Sequence, residues 1–261
     1  MKVMFNSGVI KKTEWRVWAL FVIAFIITLL VTAPATLLAK IVEQGSKGQF
    51  VLANATGSLW QGSATPALRQ RTGKLIALEK LHWNIAVLPL FTGKIVAALQ
   101  WDNVAQGLPM EATISAGRVE LRNALVPLQA GFLGELLPML QPVQLSGQLH
   151  IRSEQFIIAG SDMNGSAVAE WLNAGSALSP VNPFGSYRIN LGGSGERLDI
   201  TLATITGALV LEGSGSVTRG ADLKFQATAR AAPGSEGSLG ELLNNFGPES
   251  APGVRSINLM R

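Results

Sequence analysis

"RLDITLATITGALVLEGSGSV", residues 197–217, decides the fold class. Leu198, Ile200, Leu202 and Thr204 fall on one side of an extended chain, and Asp199, Thr201 and Ala203 fall on the other. A period of two with one apolar side is the pattern of an antiparallel strand with one buried face. The same texture runs outward along the chain. "GKLIALEKLHWNI" (73–85) alternates in part, and "GKIVAALQW" (93–101) is a continuous apolar strand. "MEATISAGRVELRNALV" (110–126) holds two strands about a turn at Gly117. "VQLSGQLHIRSEQFIIAGSDM" (143–163), "GSYRINLGG" (185–193) and "ADLKFQATAR" (221–230) continue the series. About ten short strands are expected. The Gly-rich stretches "GGSGE" and "EGSGSVTRG" lack phosphate-loop or dinucleotide spacing and read as hairpin turns.

Two short helices interrupt the strands. "FLGELLPML" (132–140) and "SLGELLNNFG" (238–247) both place apolar residues at i, i+3, i+4 and i+7. They share the pentapeptide Leu-Gly-Glu-Leu-Leu, 106 residues apart. Three further pairs keep the same order: "AGRVELRN" with "RGADLKFQA", "LHWNI" with "GSYRI", and "TGSLW" with "NGSAV". The four collinear pairs predict an internal duplication, with repeats at 49–147 and 148–261. Each repeat is expected to be a β-meander closed by a short helix, the two forming one continuous curved antiparallel sheet.

The N-terminal part reads differently. From Val17 to Ala39 no residue is charged, and the run reaches roughly the twenty residues a bilayer core requires. Trp15 and Trp18 stand at its N-terminal edge, where amphipathic aromatics favour the interface. Lys11, Lys12 and Arg16 lie on the same side, which places the N-terminus in the cytoplasm. The expected organisation is a cytoplasmic segment 1–14, a transmembrane anchor helix 15–39, a linker 40–48 and an exported β-rich domain 49–261. Pro34 is expected to end or kink the anchor. A cleaved signal peptide is the competing reading, with Ala33 and Ala35 as the small residues of a cleavage site.

Charge narrows the function classes. The net charge is +4, yet residues 1–40 hold five bases and one acid, while the rest holds sixteen of each sign. The neutral exported body lacks the basic surface that nucleic-acid binding needs. No Cys is present, which removes disulfides, thiolate metal sites and thiol catalysis. The two histidines, His82 and His150, have no metal-type spacing, and no Ser has a nucleophile-elbow context. No catalytic, metal or cofactor-binding residue is nominated, and a non-enzyme is expected.

"GSLWQG" (57–62) places Trp60 between Gly57 and Gly62. The glycines are expected at turns or bulges, with Leu59 and Trp60 opening the first strand and Trp60 packed inward. With the "LEKLHWNIAVLPLFTGKI" that follows, the arrangement resembles the type II secretion system protein N family. The residues carrying the resemblance are Gly57, Leu59, Trp60 and Gly62, then Leu81, Trp83, Pro89 and Gly93. "VNPFGSYRINL" and "LGELLNNFG" also look like family features. The resemblance implies a bitopic inner-membrane protein, mostly periplasmic, that helps export folded proteins across the outer membrane. It implies partners among the inner-membrane platform subunits and the outer-membrane secretin, and no cofactor. A membrane-tethered β-groove that binds or transfers envelope lipid, as AsmA-like proteins do, is the alternative.

Overall fold

The computed structural model describes residues 11–70, 73, 75–102, 108–136, 142–218, 224–244 and 247–260. Expectations that fall on residues 1–10, Leu137, Leu140, Gly220 and Phe246 lie outside these. Helix α1 (Lys11–Val31) is followed by α2 (Ala35–Gly45), then β1 (Phe50–Gly57), β2 (Gln61–Arg69), β3 (Leu75–Ala77) and β4 (Leu81–Ala86). A 3-10 helix, Leu88–Thr92, leads to β5 (Ile95–Trp101), β6 (Met110–Ser115) and β7 (Arg118–Gln129). Helix α3 (Gly131–Leu136) precedes β8 (Leu145–Ala159), β9 (Asp162–Ser176), β10 (Gly185–Ser194), β11 (Arg197–Gly207), β12 (Leu209–Thr218) and β13 (Lys224–Ala231). Helix α4 (Glu236–Asn244), β14 (Glu249–Ala251) and β15 (Val254–Met260) complete the chain.

All strands join one open, antiparallel 15-stranded sheet in nearly sequential order. The strands outnumber the expected ten, and β8 and β9 run 15 residues each. Directly paired residues share a face. The row Val126, Ile151, Ala169, Ile189, Leu202, Gly213, Ala227, Ile257 therefore crosses eight strands on one face without a polar side chain. Nearer the other end of the strands, Ile95, Ile114, Val119, Ile158 and Met163 form a second apolar row. The opposite face carries ion pairs: Arg188 with Glu170, Arg197 with Asp199, and His82 with Asp102.

Irregular residues inside the strands keep this division intact. Asn54 and Asn123 adopt φ of 53° and 49°, a left-handed conformation that Asn tolerates better than most residues. In β7 the apolar face is served by Val119 and Leu121 before Asn123, and by Val126 and Leu128 after it. The alternation thus shifts by one residue at Asn123 while the β7–β8 register runs through unshifted, and the offset appears between Arg152 and Phe156 of β8 against β9, which is why "VELRNALVPL" reads irregularly as a simple strand.

The Gly-rich stretches divide. Gly195 does form the β10–β11 turn, with φ of 62°. "EGSGSV", expected as a turn, lies inside β12. There a Cβ on Gly213 would sit 2.6 Å from the Ala227 Cβ, and one on Gly215 2.8 Å from the Phe225 ring. These glycines make room for their neighbours on β13 rather than reversing the chain.

The N-terminal segment is also divided otherwise than expected. One helix at 15–39 was the expectation; the helix ends at Val31 and restarts at Ala35, because Pro34 takes an extended ψ of 153° as the N-cap of α2. The expected linker 40–48 is helical to Gly45. Among the described residues, which omit several side chains of α1, no helix is long and apolar enough to cross a membrane. The described apolar side chains of α1, including Trp15, Trp18 and Phe21, stand exposed. The side chain of Arg16 lies outside the described residues.

On the polar face, Glu120 accepts from Gln155 at 2.8 Å, Arg122 at 2.7 Å and Arg118 at 3.2 Å. These hydrogen bonds hold its carboxyl down, from 4.5 to about 2. A depressed carboxyl contributes stability that is present above the unfolded value and lost as pH falls through the folded one. Glu120→Gln is therefore expected to flatten the fall in stability between pH 4.5 and about 2. Urea denaturation of both proteins across that range, in one detergent, checks it.

Candidate functional site

The residues that carry the family resemblance assemble in two places. At the first, the turn between β1 and β2 is closed by Ser58, whose N–H donates to the Gln61 carbonyl at 2.8 Å and whose Oγ accepts from the Gln61 N–H at 3.0 Å. Gly57 needs its φ of 91°, because a Cβ there would lie 2.6 Å from the Gln61 oxygen. Gly62 pairs with Trp83 of β4, and a Cβ on Gly62 would sit 2.6 Å from the Trp83 ring. Trp83 is 4% exposed, and its Nε1 donates to the Leu59 carbonyl at 3.1 Å.

The expectation for Trp60 is corrected by this arrangement. Leu59 and Trp60 lie in the turn, not in a strand, and Trp60 is half-buried. Its carbonyl accepts the Ile85 N–H at 2.6 Å. The buried anchor is Trp83, and Gly62 is small because that ring lies over it. The expected counterpart of the turn, Asn164-Gly165-Ser166, lies within β9 instead. Gly165 there pairs with Phe156 and Gly193 inside the sheet.

The same turn holds the chain leaving α1. The Leu59 N–H donates to the Ala33 carbonyl at 2.7 Å, and Pro34 bridges to Ser58. Beneath it, Ala35 of α2 is buried with Ala64 and Trp83, and Leu38, Leu52, Ile85 and Leu99 pack around them. Ala33 and Ala35 are small for a packing reason: both are buried at this junction. Pro89 and Gly93 bound the 3-10 helix after β4. Pro89 lies in its first turn, and Gly93 caps its end in a left-handed conformation with φ of 72°. Between and beside them, Leu88 and Phe91 are 81% and 84% exposed, a feature the sequence reading passed over.

The second cluster gathers "VNPFGSY" and "LGELL". Tyr187 and Leu239 are fully buried, with Phe184, Leu209, Leu242 and Leu243 beside them. Trp171 meets Phe184 edge-on at 5.8 Å and Tyr187 at 5.7 Å. The Tyr187 hydroxyl donates to the Leu209 carbonyl at 2.8 Å, and burial pushes its phenol pKa up. Asn182 pins the preceding loop, accepting from the Ser176 N–H and donating to the carbonyls of Ser176 and Ser179. Both clusters are packing sites.

Chemistry is sparse elsewhere. Among the described residues no group of three His, Asp or Glu side chains could hold a metal. His82 pairs with Asp102 at 2.5 Å, a partner 20 residues away that spacing alone did not suggest. Both side chains are nearly half exposed, so the pair adds little stability. An open cleft of about 500 Å³ lies between Ala77–Glu79 and the far half of β7, near His150.

Trp83→Ala should cost about 3–5 kcal/mol, the range for deleting a buried aromatic. Trp60→Ala should cost clearly less. Gly62→Ala should cost about 1–3 kcal/mol by overpacking against Trp83. Urea titrations of the three full-length variants test this order; a larger loss at Trp60 than at Trp83 would contradict it.

The comparisons with known proteins bear on identity. The family model "Type II secretion system (T2SS), protein N" matches residues 49–258. A protein of Pectobacterium carotovorum subsp. carotovorum named "Type II secretion system protein N" is 23% identical over 245 residues, covering 91% of this chain and 92% of that protein. No solved structure matches the chain. The matched region spans every strand from β1 to β14, the sheet side of the first packing cluster and all of the second, and the chain belongs to the type II secretion system protein N family.

Proposed function

We propose that the chain is a non-catalytic, accessory inner-membrane component of the type II secretion system. Its sheet is exported to the periplasm, and it works by contact with other secretion subunits. Family membership supports the pathway. The observation that carries the role is the junction of α1, α2 and the sheet, where the family-like residues serve packing. A protein whose signature fixes the attitude of a sheet to a helix is built to present a surface.

The helix α1 is read as the membrane anchor with its N-terminus in the cytoplasm. Its 21 residues span about 31 Å, and the uncharged run continues to Ala39. Lys11 and Lys12 at its start favour the cytoplasmic side. The partners would be inner-membrane platform subunits and, farther out, the secretin. One contact surface is favoured by the uneven strands. β6 pairs only with Arg118–Arg122 of β7. Among the described residues, Ala124–Gln129 of β7 pairs on the β8 side alone, which leaves room for strand addition.

The lipid-handling alternative keeps one observation in its favour: the apolar rows across the sheet, with no second sheet over them among the described residues. Two measurements separate the readings. Deleting the chain from its host should lower release of folded exported proteins, and restoring the full chain should recover it. Mass spectrometry of the detergent-purified protein should find no stoichiometric phospholipid. Normal secretion without the chain would overturn the secretion role. Stoichiometric lipid would favour the alternative.

A further inference from the structure

We propose that the β4–β5 connection, residues 87–93, is a second membrane contact. It would seat Leu88 and Phe91 in the leaflet from which α1 emerges. The proposal rests on the reading of α1 as the anchor.

Three backbone contacts place the connection. The chain leaves α1 at Ala33, whose carbonyl accepts from Leu59 at 2.7 Å. The next residue of that turn, Trp60, accepts from Ile85 of β4 at 2.6 Å. Helix exit, turn and β4 therefore lie side by side, about 10 Å across at two strand spacings. Asn84 pairs with Gln61, the first residue of β2, so β4 then runs past the β1–β2 turn. Ala86 pairs only with Val96 of β5. Residue 87 stands about 7 Å beyond Ile85. The hairpin thus projects on the side of the sheet where α1 is attached.

Its tip has the chemistry of a bilayer interface. Val87, Leu88 and Phe91 are exposed, the last two at 81% and 84%. No acidic residue occurs from Leu81 to Trp101, and the one Lys or Arg is Lys94, at the base of the loop. A lysine beside an apolar tip suits phosphate headgroups above acyl chains. The packing that exposes these side chains is local. Pro89 lies in the first turn of the 3-10 helix, and Gly93 caps its end by donating to the Leu90 carbonyl at 3.0 Å. Other turns at this end of the sheet differ. Ala116-Gly117, Gly160-Ser161 and Gly195-Glu196 are short and carry no large apolar residue. Among these hairpins, the apolar tip belongs to the one beside the helix exit.

The absence of Cys makes the test direct. Single variants Ile23→Cys, Phe91→Cys and Ser161→Cys of the full chain are labelled with an environment-sensitive fluorophore and reconstituted in phospholipid nanodiscs. The expected result is quenching by nitroxide-bearing lipid at positions 23 and 91. Iodide alone should quench at 161. Adding Leu88→Asp to Phe91→Cys should restore iodide quenching at 91. If position 23 is lipid-quenched and 91 is iodide-quenched like 161, the loop contact is overturned while the anchor stands. If position 23 escapes the lipid quencher, the anchor reading itself fails, and the loop contact with it. Shielding of 91 from both quenchers would mean that protein covers the tip, which also overturns the proposal.

Discussion

The Trp83 indole, lying on Gly62 and bonded to the Leu59 carbonyl, is the contact on which the N-terminal half depends. It spans three segments at once. Its strand is β4, its floor is β2, and its acceptor is in the turn that holds Ala33. Helix α2 then seals it with Ala35. Each participant is constrained by the others. A side chain at Gly62 would displace the ring. A bulkier residue at Ala35 would lift the helix, and the Leu59 N–H of the turn would lose its acceptor, the Ala33 carbonyl. The result is a stiff corner between a helix and a sheet, made mostly of small residues around one large one.

A single open sheet has two faces and no second layer, so it cannot bury its apolar side by itself. This chain meets the difficulty by placing compact cores at separate points. One is the Trp83 corner, and the other is the Tyr187 cluster under α4. Between them the long apolar row is shielded in part by its own neighbours, the second row leaves Ile95, Ile114 and Ile158 exposed, and the polar face carries exposed ion pairs worth little each. The edges are treated differently. The last strand in the order, β14, is three residues long, which offers a poor template for pairing with another chain.

The sheet itself was legible, because period-two alternation survives wherever one face is apolar, as in Leu198, Ile200 and Leu202. Helix α4 was legible for the matching reason: Leu239, Leu242 and Leu243 sit at helical spacing and are buried. Legibility failed where one residue type serves two purposes. Glycine in "EGSGSV" looks like a turn, but it is a strand residue giving way to Phe225 and Ala227. Trp60 looks like an anchor between two glycines, but those glycines answer to Gln61 and to a tryptophan 23 positions later. The strand number was underestimated where the alternation is broken inside a strand, as at the Asn54 bulge of β1. The exposed tip at Leu88 and Phe91 was invisible, since apolar residues after a strand read as more core.

The packing role of the family-like residues constrains how a family of this kind can work. Gly62 and Trp83 touch each other, Tyr187 touches Leu209, and Asn182 holds its own loop. None of these faces outward as a reactive group. The contacts these residues make are therefore those that set the sheet's attitude to α2 and close its far end. Surfaces that meet partners are left to the exposed strands and hairpin tips. A rigid corner makes such surfaces useful, because a sheet held at a fixed angle to α2 presents each tip in a fixed direction. A flexible linker at 40–48 would have scattered the same surfaces over a range of directions. The helical α2, buried at Ala35 and tied by Glu43 to Arg69 at 3.1 Å, stands in its place.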